Sequence, residues 1–259
     1  MINEFKFKRA IPVWKKDDTL VMNQTLLLST EINALPDSVL YITGCSSYLV
    51  FVNGNFVAHG PARTAKGYYK VDILPLDKYL TNGTNIVTIR AAGYNANSFC
   101  YIDAPSFICA EILSGGTVVA ATGFDFNAVL YESRLQKVPR YSYQRTFCEV
   151  YTYGNNDNFA KVELVPAEHK MFLVRDVPYC DYETILPKKV YRLGKVGYSD
   201  KSRYYNSRYI SGVGDNLKGF TENELEFAPH VEYQKFDFLD AQYVNKAADI
   251  IEIQQDSYA

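Results

Sequence analysis

The pair Asn53-Gly54 sits between Val52 and Asn55, with Ser47 to Val52 before it and Phe56-Val57 after it. A two-residue hairpin turn that follows the natural strand twist needs positive φ at both central residues, and Asn followed by Gly meets that need best. The two flanking segments are thereby committed to antiparallel pairing. Other stretches carry the same signal. Ser38 to Thr43 is a short β-rich run, and Thr19 to Ser29 is rich in Leu and Thr. A second pair, Asn82-Gly83, precedes a strand expected over Asn85 to Ala91, and Gly115-Gly116 turns Ser106 to Leu113 into Thr117 to Thr122. Helical periodicity is almost absent. Pro75 to Leu80 has room for one turn, and Ala241 to Ile253 reads equally as a short strand or a helix. Strands at short spacing, broken by Gly and Asn turns, predict an all-β sandwich rather than alternating β and α units.

The sandwich is expected over residues 1–150. Beyond that the pattern changes. Val165-Pro166, Val177-Pro178 and Leu186-Pro187 punctuate short apolar runs, and Tyr198 to Gly219 reads as a long polar loop. Phe220 to Phe238 returns to alternation, which puts Glu222, Glu224 and Glu226 on one face of an extended segment. Residues 151–259 are read as a smaller β region, or as an extension packed on the first sandwich. The 22 tyrosines suit half-buried sheet faces, where the ring packs and the hydroxyl stays wet. They also suit sugar binding, since sugars stack on aromatic faces.

Charge narrows the partners. The 27 Lys and Arg against 29 Asp and Glu leave −2, without a block of one sign, so neither nucleic acid nor an anionic membrane is an expected partner. No apolar run of about 18 residues occurs, and the start has no leader pattern. Five cysteines, at 45, 100, 109, 148 and 180, include no Cys-x-x-Cys pair; they read as thiols of a reducing compartment, and a cytoplasmic location is expected. Two matches to the glycosylation acceptor pattern, at Asn23 and Asn82, read as chance.

The run from Tyr48 to Asn95 resembles the N-terminal β-sandwich of bacterial α-L-rhamnosidases. The resemblance is carried by a strand ending in Val52-Asn53-Gly54, by Gly60-Pro61, by Tyr68-Tyr69 before a strand, by the Asp72-to-Leu80 turn, and by Asn82-Gly83 with Asn85-Ile86-Val87. Phe107 to Leu113, Ala121-Thr122, Arg140-Tyr141-Ser142-Tyr143-Gln144-Arg145 and Arg175 to Tyr179 extend it. It implies a jelly-roll (galactose-binding-like) β-sandwich followed by a smaller β region. In that family an inverting, metal-independent hydrolysis is performed by a later all-helical barrel, whose Asp-Gly-x-x-Arg-Asp-Arg-like motif has no counterpart here. The resemblance therefore implies the non-catalytic front of a larger glycoside hydrolase. Its expected partners are the helical catalytic barrel domain and rhamnose-containing or related glycans. A stand-alone carbohydrate-binding module and a purely structural protein-interaction sandwich remain as alternatives.

No residue pattern marks chemistry within the chain. A glycosidase needs two carboxyl groups about 5 to 10 Å apart across one bond. Asp17-Asp18 are neighbours in a turn, and Glu149, Asp157 and Asp181 stand in no motif. His59, His169 and His230 lack ligand spacing, so no metal site and no cofactor are expected, and no catalytic residue is assigned. What remains is a carbohydrate-binding candidate on loops: His59 and Arg63 in His59-Gly60-Pro61-Ala62-Arg63, then Tyr68 and Tyr69, then Tyr94, Asn95 and Asn97. Arg and Asn can bond sugar hydroxyls, and Tyr offers a stacking face. The competing reading is that Gly60-Pro61 and Gly93 shape loops, that Arg63 pairs with a carboxylate, and that the tyrosines pack between modules.

Overall fold

In the computed structural model of the chain, residues 3–33, 36–140, 144, 146–152, 160–168, 170–183, 185 and 217–226 are described, with 194–198, 231–233 and 257–258 as backbone alone. Strands dominate, as expected. In chain order they are β1 Val13–Lys15, β2 Gln24–Asn33, β3 Ser38–Gly44, β4 Ser47–Val52, β5 Asn55–Gly60, β6 Tyr68–Pro75, β7 Thr84–Gly93, β8 Ile108–Ser114, β9 Thr117–Ala121, β10 Asn127–Leu130, β11 Leu164–Pro166, β12 Met171–Val174, β13 Gly194–Tyr198, β14 Val231–Tyr233 and β15 Ser257–Tyr258.

β4 and β5 form the expected hairpin, with Asn53 at φ 50° and Gly54 at φ 78°. They belong to a five-stranded sheet of order β10-β2-β7-β4-β5. A seven-stranded sheet packs against it, in order β11-β1-β8-β3-β6-β12, with β9 added on β8. Leu26, Leu28, Val50, Val87 and Ile89 from the smaller sheet meet Leu40, Ile42, Leu74, Ile108 and Ile112 from the larger, with Trp14 and Tyr48 among them. Each such fully buried aliphatic side chain contributes on the order of 2 kcal/mol. The alternation along β2, β4 and β7 is what sends these residues inward and their neighbours outward.

The larger sheet is covered on its outer face too. Residues around Phe7 fold back over it, and Phe7 meets Phe172 edge-on at 5.1 Å while Tyr69 meets Phe107 at 4.6 Å. The buried Glu111 of β8 fastens that cover, because its carboxylate accepts the backbone N–H groups of Lys8, Arg9 and Ala10 at 2.9 to 3.1 Å. Much of the late chain is thus woven into the sandwich: β11 pairs with β1, and β12 lies parallel to β6. A separate small sheet has the order β14-β13-β15.

Asn82-Gly83 precedes β7 as expected, and β7 pairs with β2 and β4 rather than with the strand before the turn. Two local expectations are corrected. The strand expected from Thr19 begins at Gln24, because Asp18 to Asn23 form turns, with Asn23 at φ 54°. Glu222–Glu224 is a 3-10 turn and not an extended segment. The reason is local. The Thr221 backbone N–H donates to Glu224 Oε2 at 2.8 Å, half of a capping box whose Thr-x-x-Glu spacing is in the sequence. The single turn anticipated near Pro75 to Leu80 is a 3-10 turn at Asp77–Tyr79. Tyr141 to Tyr143, Arg145, His169, His230 and Ala241 to Ile253 lie outside the described residues.

Candidate functional site

The outer face of the five-stranded sheet differs from that of the larger one: at the end near Gly60 it carries an open cleft. Cross-strand register places Thr25, Ala92 and Ser47 in one row, and Leu27, Arg90, Leu49 and His59 in the next. A ribbon rises beside these rows, formed where Arg134 bridges to Tyr151 and where Leu135 N–H bonds to Val150 O at 2.9 Å. The enclosed cleft measures about 210 Å³ and is lined by Ser47, His59, Arg90, Tyr94, Arg134, Glu149 and Tyr151, among others.

Arg134 organises the ribbon side. Its side chain is only 3% exposed, and it grips Glu149 with two bonds, Nε to Oε2 at 3.1 Å and Nη2 to Oε1 at 2.9 Å. Its Nη1 donates to Asn23 Oδ1 at 2.8 Å and to Thr25 Oγ1 at 3.1 Å. Such a planar bidentate pair fixes both partners in orientation. The Tyr151 hydroxyl donates to Glu149 Oε2 at 2.6 Å. Burial works to raise the Glu149 pKa, but the Arg134 bonds outweigh it and hold the carboxyl below its ordinary range. Burial and the bond to Glu149 push Tyr151 up to about 12. On the opposite wall His59 Nε2 lies 3.2 Å from Ser47 Oγ, and burial holds the imidazole below its ordinary pKa, so it is neutral at pH 7.

The seven residues anticipated from sequence do not form one site. His59 and Tyr94 line this cleft. Arg63, Tyr68 and Tyr69 line a second, smaller cavity of about 130 Å³ with Cys45, Phe99 and Tyr101. There Arg63 Nη2 donates to the backbone carbonyl of Phe99 at 2.6 Å; the bond goes to a loop and not to the carboxylate anticipated. Tyr69 packs against the aromatic cover and is pushed up to about 12 by burial. Asn95 and Asn97 instead tie down residues 217–226. Asn97 Oδ1 accepts the Lys218 backbone N–H at 2.9 Å, and Asn95 O lies 3.5 Å from Lys218 Nζ. Phe220 then packs with Tyr94, Ala96, Val138 and Phe147.

Gly60 has a role of its own. A Cβ there would lie 2.1 Å from Asp72 Oδ2 and 2.4 Å from the Tyr48 hydroxyl oxygen, so only glycine fits. Asp72 is fully buried, accepts from the Tyr48 hydroxyl, and pairs with Arg175 Nη1 at 2.9 Å. Two tyrosines of the following segment bind strand backbone. The Tyr182 hydroxyl donates to His59 O at 2.9 Å and accepts from His59 N–H at 3.2 Å. Tyr179 does the same at Ile73, at 3.2 and 2.7 Å.

Arg90, Arg134 and Tyr151 escaped the sequence reading, in which Glu149 figured only as a carboxyl group in no motif. Alternation in β7 marks Arg90 as outward-facing between Ile89 and Ala91; nothing local announces that residues 134, 149 and 151 meet it. Among the described residues no group of three or more His, Cys, Asp or Glu side chains is placed to hold a metal ion, and no helix is long and apolar enough to cross a membrane.

These features define a two-sheet β-sandwich with an open cleft on one sheet face, and its fold is that of the β-sandwich region of α-L-rhamnosidases. A GH78 family rhamnosidase of Bacillus sp. GL1 aligns with a TM-score of 0.65 and 21% identity, over 76% of this chain and 23% of that enzyme. An α-L-rhamnosidase from Aspergillus terreus aligns with a TM-score of 0.45 and 12% identity, over 75% of this chain and 25% of its own. The chain thus spans about a quarter of the length of these enzymes. The Pleurotus ostreatus lectin aligns with a TM-score of 0.36 and 15% identity, over 64% of this chain and 49% of the lectin. No protein-family model matches the chain, and no curated protein does.

Proposed function

We propose that this chain is the non-catalytic N-terminal portion of an α-L-rhamnosidase-like glycoside hydrolase. It supports a helical catalytic barrel and contacts carbohydrate. The observation that carries this reading is the fold match over three quarters of the chain to only 23% of a rhamnosidase. The chemistry of the cleft agrees. Among the described residues lining it, Glu149 is the single carboxyl group, and Arg134 occupies it, whereas glycoside hydrolysis uses two carboxyl groups with separate roles. Two further readings belong to the proposal: residues 1–150 form the carbohydrate-binding-like sandwich, completed by β11 and β12 of the 151–259 region that leads toward the catalytic domain, and the location is cytoplasmic.

The test is to delete this region from the longer protein that contains it. The expected result is a barrel that loses solubility or melts at a lower temperature, and a free chain that leaves p-nitrophenyl α-L-rhamnoside intact. A barrel equally stable without the region would defeat the proposal. The cleft also favours a second reading, a stand-alone carbohydrate-binding module. That reading gains if the longer protein has no helical barrel.

A further inference from the structure

One charged group in the cleft has no hydrogen-bonded partner among the described residues. The Arg90 guanidinium carbon lies 5.8 Å from the ring centre of Tyr131 and 5.8 Å from that of Tyr151, beside two rings that are themselves 6.4 Å apart. Among the described residues no hydrogen bond or ion pair satisfies its five N–H donors, although Glu149 is near. The Glu149 oxygens are already taken by Arg134 and Tyr151. The cleft therefore holds two guanidinium groups against one carboxylate, with His59 neutral, and carries an excess positive charge. A guanidinium set beside two aromatic rings, with no acceptor on its fork among the described residues, can take one more planar anion.

We infer that this cleft binds an acidic sugar, with the carboxylate of a uronic acid residue on Arg90. The inference rests on the carbohydrate reading above and names the class of sugar. Around Arg90 stand Ser47 and His59, which suit ring hydroxyls, and the ring of Tyr151, which suits the apolar face of a pyranose. A cleft of about 210 Å³ accepts one sugar ring more readily than a length of peptide. Neutral sugars leave the Arg90 fork unsatisfied, so discrimination runs in favour of the acid.

The experiment is calorimetric titration of the full chain with trigalacturonic acid, with its carboxyl-reduced neutral counterpart, and with tri-aspartate. Binding of the acidic sugar is expected, weakening as salt rises, with the neutral sugar at least about tenfold weaker and the peptide weaker still. Arg90→Gln should lose at least about tenfold in affinity, and Arg90→Lys should recover part of it by restoring charge without the fork. Thermal melts of both variants check the fold, and Arg90→Lys carries the test if the glutamine variant melts early. Equal binding of neutral and acidic sugars, tighter binding of the peptide, unchanged affinity in both variants, or no binding of the acidic sugar would each overturn the inference. None of these results touches the support role, which the deletion experiment reads separately.

Discussion

Two arginine–carboxylate pairs in this sandwich do opposite things. Arg175 and Asp72 meet between the sheets' edges, with Asp72 at 0% exposure and its second oxygen taken by Tyr48. Arg134 and Glu149 meet at the rim of the cleft, with the Glu149 side chain 52% exposed. Both join distant stretches of chain. Burial separates their roles. A closed pair holds structure, because solvent does not reach the Asp72 carboxylate and each of its oxygens already has a donor. An open pair orients a carboxylate that water or a ligand still reaches.

The contrast is sharpest in stability. Arg175→Ala strands the Asp72 carboxylate in the interior, and the expected loss is about 3 kcal/mol or more in urea unfolding. A loss under about 1 kcal/mol would mean that the pair is not closed at all. Gly60→Ala forces a methyl group onto the same Asp72 and Tyr48 atoms, and about 2 kcal/mol is expected from the same measurement. Arg134→Ala is milder, at about 1.5 kcal/mol, because Glu149 can turn to water when its partner goes. If it cost as much as Arg175→Ala, the open pair would be structural too. The smallest effect is a slope with pH. His59 is held below 6.5 by burial, so the unfolded chain takes up the proton first as pH falls. Stability should be full above about pH 6.5 and decline below it, and His59→Gln should flatten that decline in thermal melts. Glu149 follows at lower pH: its lowered pKa contributes stability above 4.5 that is lost as acid protonates the folded carboxylate.

The sequence announced the sandwich more clearly than the site. Ser47 to Val52 was readable to the residue, because alternation and the Asn53-Gly54 turn act locally. At Asn82-Gly83 the signal marked the strand that follows but not its partners, which are set by the whole sheet and not by the turn before it. Of the residues anticipated for sugar binding, His59 and Tyr94 line one cleft while Arg63 and Tyr69 line another cavity, since loops adjacent in sequence leave the sandwich in different directions. Arg134 and Glu149 were beyond reach, because their meeting depends on a ribbon that folds over a sheet face.

The hydroxyls of Tyr179 and Tyr182 carry one more consequence. β5 is the last strand of its sheet, and β6 is open beyond its pairing with β12. Such margins are templates on which another chain can add itself and start aggregation. Here a single phenol at each margin satisfies both the N–H and the C=O of one residue, His59 on β5 and Ile73 on β6. A stray strand would have to evict a tyrosine to dock at either of these two margins.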